Sequence, residues 1–109
     1  MTTETASNAA FEDAPPAATT VPGILKVSAK SNPNAVAGAL AAVLRERDTA
    51  ELQAVGAGAI NQAVKAIAIA RAYLKTSNLE LLCVPAFIDV EIGGKGRTGI
   101  SLAIMRRSA

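Results

Sequence analysis

The chain has 109 residues, with 11 Lys and Arg against nine Asp and Glu, no histidine and a net charge of +2. That length suits one domain. The longest uncharged runs, 31–44 and 52–64, fall short of the ~18 apolar residues that a membrane-spanning helix needs. The single cysteine, Cys83, excludes an intramolecular disulfide and fits a reducing, cytoplasmic setting.

Residues 1–22 differ from the rest. They are rich in Ala, Thr and Pro, carry Glu4, Glu12 and Asp13 with no Lys or Arg, and hold one large apolar side chain, Phe11, before Val21. Such a stretch cannot bury enough apolar surface to offset its ordering entropy, so it reads as a disordered acidic tail. It lacks the basic start and apolar core of a signal peptide. Residues 23–107 then form the single domain. All 11 basic residues lie after the tail, against six acidic ones, a net of +5. A basic domain suits a phosphate partner, although ordinary solubilising charge produces the same balance.

In chain order, Ile24 to Ser28 reads as a short strand. Asn32 is placed to cap a helix that has Pro33 at its first position and runs to about Arg47. Val36, Ala39, Leu40, Val43 and Leu44 share one face of it, and Ala37, Gly38, Ala41 and Ala42 form a small-residue face open to close approach. Asp48-Thr49-Ala50 breaks the pattern, and Glu51 to Val55 is a second strand.

Gly56-Ala57-Gly58 is a turn into a second helix, from about Ala59 to Lys75. Its inner face is predicted to hold Ile60, Ala63, Val64, Ile67, Ala68 and Leu74. A weaker outer stripe, Gln62, Ala66, Ile69 and Tyr73, is the candidate oligomer interface. Leu79 to Ile92 reads as two pieces of one bent strand around Pro85, which belongs at a sheet edge or a bulge. Gly93-Gly94-Lys95-Gly96 is a hairpin turn, and Thr98 to Met105 returns with Ile100, Leu102 and Ile104 inward. The order β-α-β-α-β-β predicts an α/β two-layer sandwich: one mixed sheet, with two helices on one face.

Little here suits catalysis. Gly56-x-Gly58 lacks the third glycine of a dinucleotide turn, because position 61 is Asn, so a close-packing turn explains it better. Asp89 and Glu91 share a strand face without a third ligand, which indicates a solvated face and no metal site. Cys83 has no histidine to activate it and reads as an inert core thiol between Leu82 and Val84. A non-enzymatic protein without a cofactor or small-molecule substrate is expected. The basic residues cluster instead: Lys30 beside the Asn32-capped helix start, Lys95 and Arg97 at the hairpin tip, and Arg106 and Arg107 at the end of the last strand. Aromatic residues for base stacking are nearly absent, which argues against single-strand recognition.

Three segments carry a family resemblance: LKVSAKSNPNAVAGALAAVLRER (25–47), ELQAVGAGAINQAVKAIAIAR (51–71) and LLCVPAFIDVEI (81–92). They resemble the bacterial stage V sporulation protein S family, which in turn resembles archaeal Alba chromatin proteins in element order. The resemblance implies an Alba-like fold that dimerises and binds DNA or RNA mainly through backbone phosphates. By position, Lys30 and Pro33 match the basic loop of Alba proteins, and Lys95 and Arg97 match their hairpin arm. The turn Gly56-Ala57-Gly58 departs from the basic turn common there, and the arm is shorter and less basic.

The expectation is a homodimeric, sequence-nonspecific nucleic-acid-binding regulator with Lys30, Asn32, Lys95, Arg97, Arg106 and Arg107 at its phosphate contacts. The alternative is a structural or interaction protein that oligomerises or docks a regulatory partner, in which the basic residues only solubilise.

Overall fold

The computed structural model describes residues 23–109; the acidic stretch 1–22 lies outside the described residues. The elements are β1 (Ile24–Val27), α1 (Pro33–Glu46), β2 (Thr49–Ala54), α2 (Ala57–Lys75), β3 (Leu79–Ile92) and β4 (Lys95–Ser108). The four strands form one sheet in the order β1-β2-β4-β3. β1 and β2 are parallel, whereas β4 is antiparallel to both β2 and β3. The return strand of the hairpin therefore slots between β2 and β3, leaving β3 on the edge. This order is consistent with the Alba-like architecture that the resemblance implies.

α1 starts where expected. The Asn32 side-chain oxygen accepts from the backbone N–H groups of Asn34 (2.8 Å) and Ala35 (3.3 Å), and Pro33 takes the first helical position. Both helices lie over one sheet face. Alternation puts Leu25, Val27, Ala50, Leu52, Ala54, Leu102 and Ile104 beneath them, where they join Val36, Leu40, Leu44 and Leu74 in the core. Truncating one of the fully buried leucines would cost about 2–5 kcal/mol.

The helix faces differ from the predicted ones in an instructive way. α2 buries Ala59, Ala63, Ala66, Ala70 and Leu74, while Val64 is 53% exposed and Ala68 is also exposed. α1 fully buries Ala37 and Ala41 from its small-residue face. The two helices pack against each other, and small side chains let their axes approach closely. Ile60, Ile67 and Ile69 then flank the seam, half-buried against the core.

Strand bounds also shift: β4 runs Lys95–Ser108, where Thr98 to Met105 was expected. Thr49 and Ala50 belong to β2, opposite Met105 and Ile104. β3 is one unbroken strand paired residue for residue with β4 from Leu79↔Ser108 to Ile92↔Lys95, so Pro85 makes no bulge and does not split the strand into two pieces. It sits at the edge, as the sequence requires. Gly93 (φ 60°) and Gly94 (φ 78°) make the two-residue turn, a geometry that needs positive φ at both positions.

A candidate nucleic-acid interface

β1 and β2 run in the same direction, so the loops that leave them open at the same end of the sheet. The first loop is tightly organised. Ser31 Oγ accepts from the Ser28 N–H (2.9 Å), and Ser28 Oγ accepts from the Lys30 N–H (3.2 Å). Gln62 Nε2 donates to the Ser31 carbonyl at 2.9 Å and ties α2 to the same loop. A Cβ at Gly58 would come within 2.9 Å of Ala29 Cβ, so the glycine lets the start of α2 rest against the loop. This is the close-packing role expected of the glycine turn. The backbone beside Lys30 is thereby fixed while the residue itself stays exposed.

The start of α2 has no side-chain cap, because Gly56 is its N-cap, and neither helix carries an acidic residue in its first turn. Both N-termini thus present positive dipole ends free of competing carboxylates at the Lys30 end of the molecule.

The hairpin extends past this same end. Pairing of β2 with β4 stops at Ala54↔Ile100, whereas β4 continues back to Lys95 against β3. Five β4 residues therefore form a two-stranded arm beyond the sheet, about 17 Å long at 3.4 Å per residue. Its sides differ. Lys95 pairs with Ile92 and Arg97 with Val90, and these four continue the sheet face away from the helices. Asp89 and Glu91 lie on the opposite side, and both are exposed.

The six predicted phosphate contacts thus fall into two groups. Lys30, Lys95 and Arg97 gather at one end with Asn32, whose side-chain oxygen is occupied in capping α1. Arg106 and Arg107 lie at the far end, where β4 passes the close of α1. Arg106 is a structural residue: its Nη1 donates to the Leu44 carbonyl at 2.7 Å and its Nη2 meets Asp48 at 3.1 Å. It satisfies helix-terminal carbonyls that have no intrahelical partner. Arg107 is exposed and pairs across the strands with Glu80. A second far-end ion pair carries no signal in spacing or pattern: Arg71 grips Glu80 with two hydrogen bonds of 2.7 and 2.8 Å. That grip, aided by the Leu81 N–H, lowers the Glu80 carboxyl to about 2.

The predicted oligomer stripe does not form a surface. Ala66 is completely buried, Ile69 packs on the core, and Gln62 is bonded to Ser31; Tyr73 alone is exposed, at 42%. The physical reason is the alanine seam, which turns Ala66 inward. Cys83 departs from its expected core position: it is exposed on the edge strand, although partial burial pushes its thiol pKa up. Among the described residues there is no group of three or more metal-ligating side chains, and no helix is long and apolar enough to cross a membrane.

The family model described as stage V sporulation protein S matches residues 23–107, the whole of the folded unit from the turn before β1 almost to the end of β4. With the predicted segments, the element order and this match in agreement, the chain belongs to the stage V sporulation protein S family.

Proposed function

We propose that the protein binds DNA or RNA without sequence preference, as a homodimer, with Lys30, Lys95 and Arg97 of each copy meeting backbone phosphates. Family membership supports a sporulation-related regulatory protein, and phosphate binding would give that regulation a physical means. The observation that carries the reading is positional. A rigid basic loop, two helix N-termini without first-turn acids and a projecting basic arm all lie at one end of the molecule. Phosphate groups are drawn to such an arrangement through charge and free N–H groups together.

The test is a titration of DNA and RNA duplexes at several salt concentrations. Each phosphate contact contributes about −0.9 to the slope of log K against log salt on duplex DNA. The Lys95→Glu/Arg97→Glu variant should lose about 2 from that slope per copy bound. A wild-type affinity indifferent to salt, or an unchanged slope in the variant, would sink the reading.

A second reading has an observation of its own. Leu82, Val84 and Phe87 stay exposed on β3, which favours an interaction protein that docks a regulatory partner. Failure to bind any duplex at low salt, with the fold intact, would favour that reading.

A further inference from the structure

The arm carries its two cations beside an apolar row. Val90 stands opposite Arg97 and Ile92 opposite Lys95, with Ile88 next in line opposite Gly99. These three aliphatic side chains are half-buried on the sheet face away from the helices, while Lys95 and Arg97 are exposed there. Neither cation forms an ion pair among the described residues.

Residues 1–22 hold the matching set. Phe11, Glu12 and Asp13 place the one aromatic ring of that stretch next to two of its three carboxylates, and no Lys or Arg lies there to pair with them. We infer that Phe11, Glu12 and Asp13 dock on this face of the arm in the same chain. Phe11 covers the row of Ile88, Val90 and Ile92, and the two carboxylates meet Lys95 and Arg97.

Reach favours this contact. The stretch is rooted at Gly23, whose carbonyl accepts from the Glu51 N–H at 2.7 Å. Gly23 stands one residue before the row in which Ile24 pairs with Glu51 and Glu51 with Ala103. Arg97 is therefore about seven residues along the sheet, about 24 Å, and two strand spacings across it, about 10 Å. The span is roughly 26 Å. About ten residues lead from Asp13 to Gly23, with Pro15, Pro16 and Pro22 among them. A flexible chain of that length averages about 18 Å end to end, and an extended proline-rich one reaches about 31 Å. The span falls between these values, where a tether raises the local concentration most, to about the millimolar range.

Charge selects the face. The folded residues carry a net +5, against Glu4, Glu12 and Asp13 in residues 1–22. Asp89 and Glu91 on the other side of the arm repel an acidic segment, so only the side with Lys95 and Arg97 receives it. One buried ring and two screened ion pairs give a dissociation constant on the order of 1 mM, so a tethered segment occupies about half of the arms. One consequence rests on the nucleic-acid reading: the segment takes the place of backbone phosphates, and neutralising it tightens duplex binding about twofold for each arm engaged.

Paramagnetic broadening tests the contact without any nucleic acid. In the full chain with Ala10→Cys and Cys83→Ser, a nitroxide on residue 10 should broaden the amide signals of Val90, Ile92, Lys95 and Arg97 and spare those of Lys65 and Lys75 on α2. Adding Glu12→Gln/Asp13→Asn should remove most of that broadening. No broadening at the arm, broadening undiminished by the two substitutions, or the same broadening when nitroxide and isotope sit on different chains overturns the proposal. A duplex titration at low salt then separates the contact from its consequence. Glu12→Gln/Asp13→Asn should bind at least about twofold more tightly than the wild type. Equal affinities in chains that show the broadening leave the contact standing and refute phosphate binding at the arm.

Discussion

Replacing Arg106 by alanine separates the structural from the phosphate-binding arginines. Its side chain donates to the Leu44 carbonyl at 2.7 Å and to Asp48 at 3.1 Å, and it is itself only 26% exposed. A charged donor on a helix-terminal carbonyl is worth about 1.5–3 kcal/mol, and the favourable end of the helix dipole adds about 0.3–1. Asp48 is 88% exposed, so solvent screening leaves that ion pair under about 1 kcal/mol. Some of this is recovered when water reaches the carbonyls, which gives a net loss of about 2 kcal/mol. For a domain of this size that lowers Tm by roughly 8–16 °C. Urea unfolding and a thermal scan measure the loss, with Asp48→Asn expected to cost less than half as much. In a duplex titration below the variant's Tm, the salt slope should equal that of the wild type. A stability loss under about 0.5 kcal/mol, or a slope reduced by about 1, would show that Arg106 serves phosphates and refute the structural assignment.

Asn32→Ala should cost about 1 kcal/mol in urea unfolding, while Asn32→Asp, which keeps the acceptor for the Asn34 and Ala35 N–H groups, should be nearly neutral. Glu80 makes stability pH-dependent: its carboxyl falls from 4.5 to about 2 in the folded chain, mainly through the Arg71 hydrogen bond. Its contribution is therefore complete above about pH 4.5 and lost as pH falls towards 2, so the stability gap between wild type and Glu80→Gln should close across that window; a pH-independent gap refutes it. Neutralising Asp89 and Glu91, on the far side of the arm from Lys95 and Arg97, should tighten duplex binding less than about threefold and have no effect once salt screens charges a strand's width away. A tenfold gain in binding would mean that nucleic acid approaches the acidic side.

The elements were legible because local signals agreed with one another. Asn32-Pro33 marked a helix start, Gly93-Gly94 a turn, and alternation in Ile100, Leu102 and Ile104 a strand with one buried face. What was not legible depended on the partners that each face meets. Periodicity assigned Val64 and Ala68 to the core of α2 and Ala66 to its surface. Packing against α1 reversed this, because a close helix pair selects small side chains over larger apolar ones. The same limit applied to the site. Sequence placed Arg106 beside Arg107 as a basic pair, but only the return of β4 past Asp48 and the end of α1 shows that one is consumed in the fold. Lys30, Lys95 and Arg97 were easier to place, since each lies in a loop or beside a glycine turn.

The two edges of the sheet differ in how far they could template further pairing. An apolar edge strand invites further pairing, which in an open arrangement leads to fibres. At the opposite edge β1 has four residues, too few to template a long ladder, and its Leu25 and Val27 are committed to the core. The edge that could grow is β3 alone, and Pro85 interrupts its outward row of donors at the middle of the apolar stretch. One end of β3 continues into an arm bearing Asp89, Glu91, Lys95 and Arg97, and charges there cost too much to bury against another sheet. The long hairpin thereby divides its length into an uncharged middle at the sheet edge and a charged arm beyond the sheet.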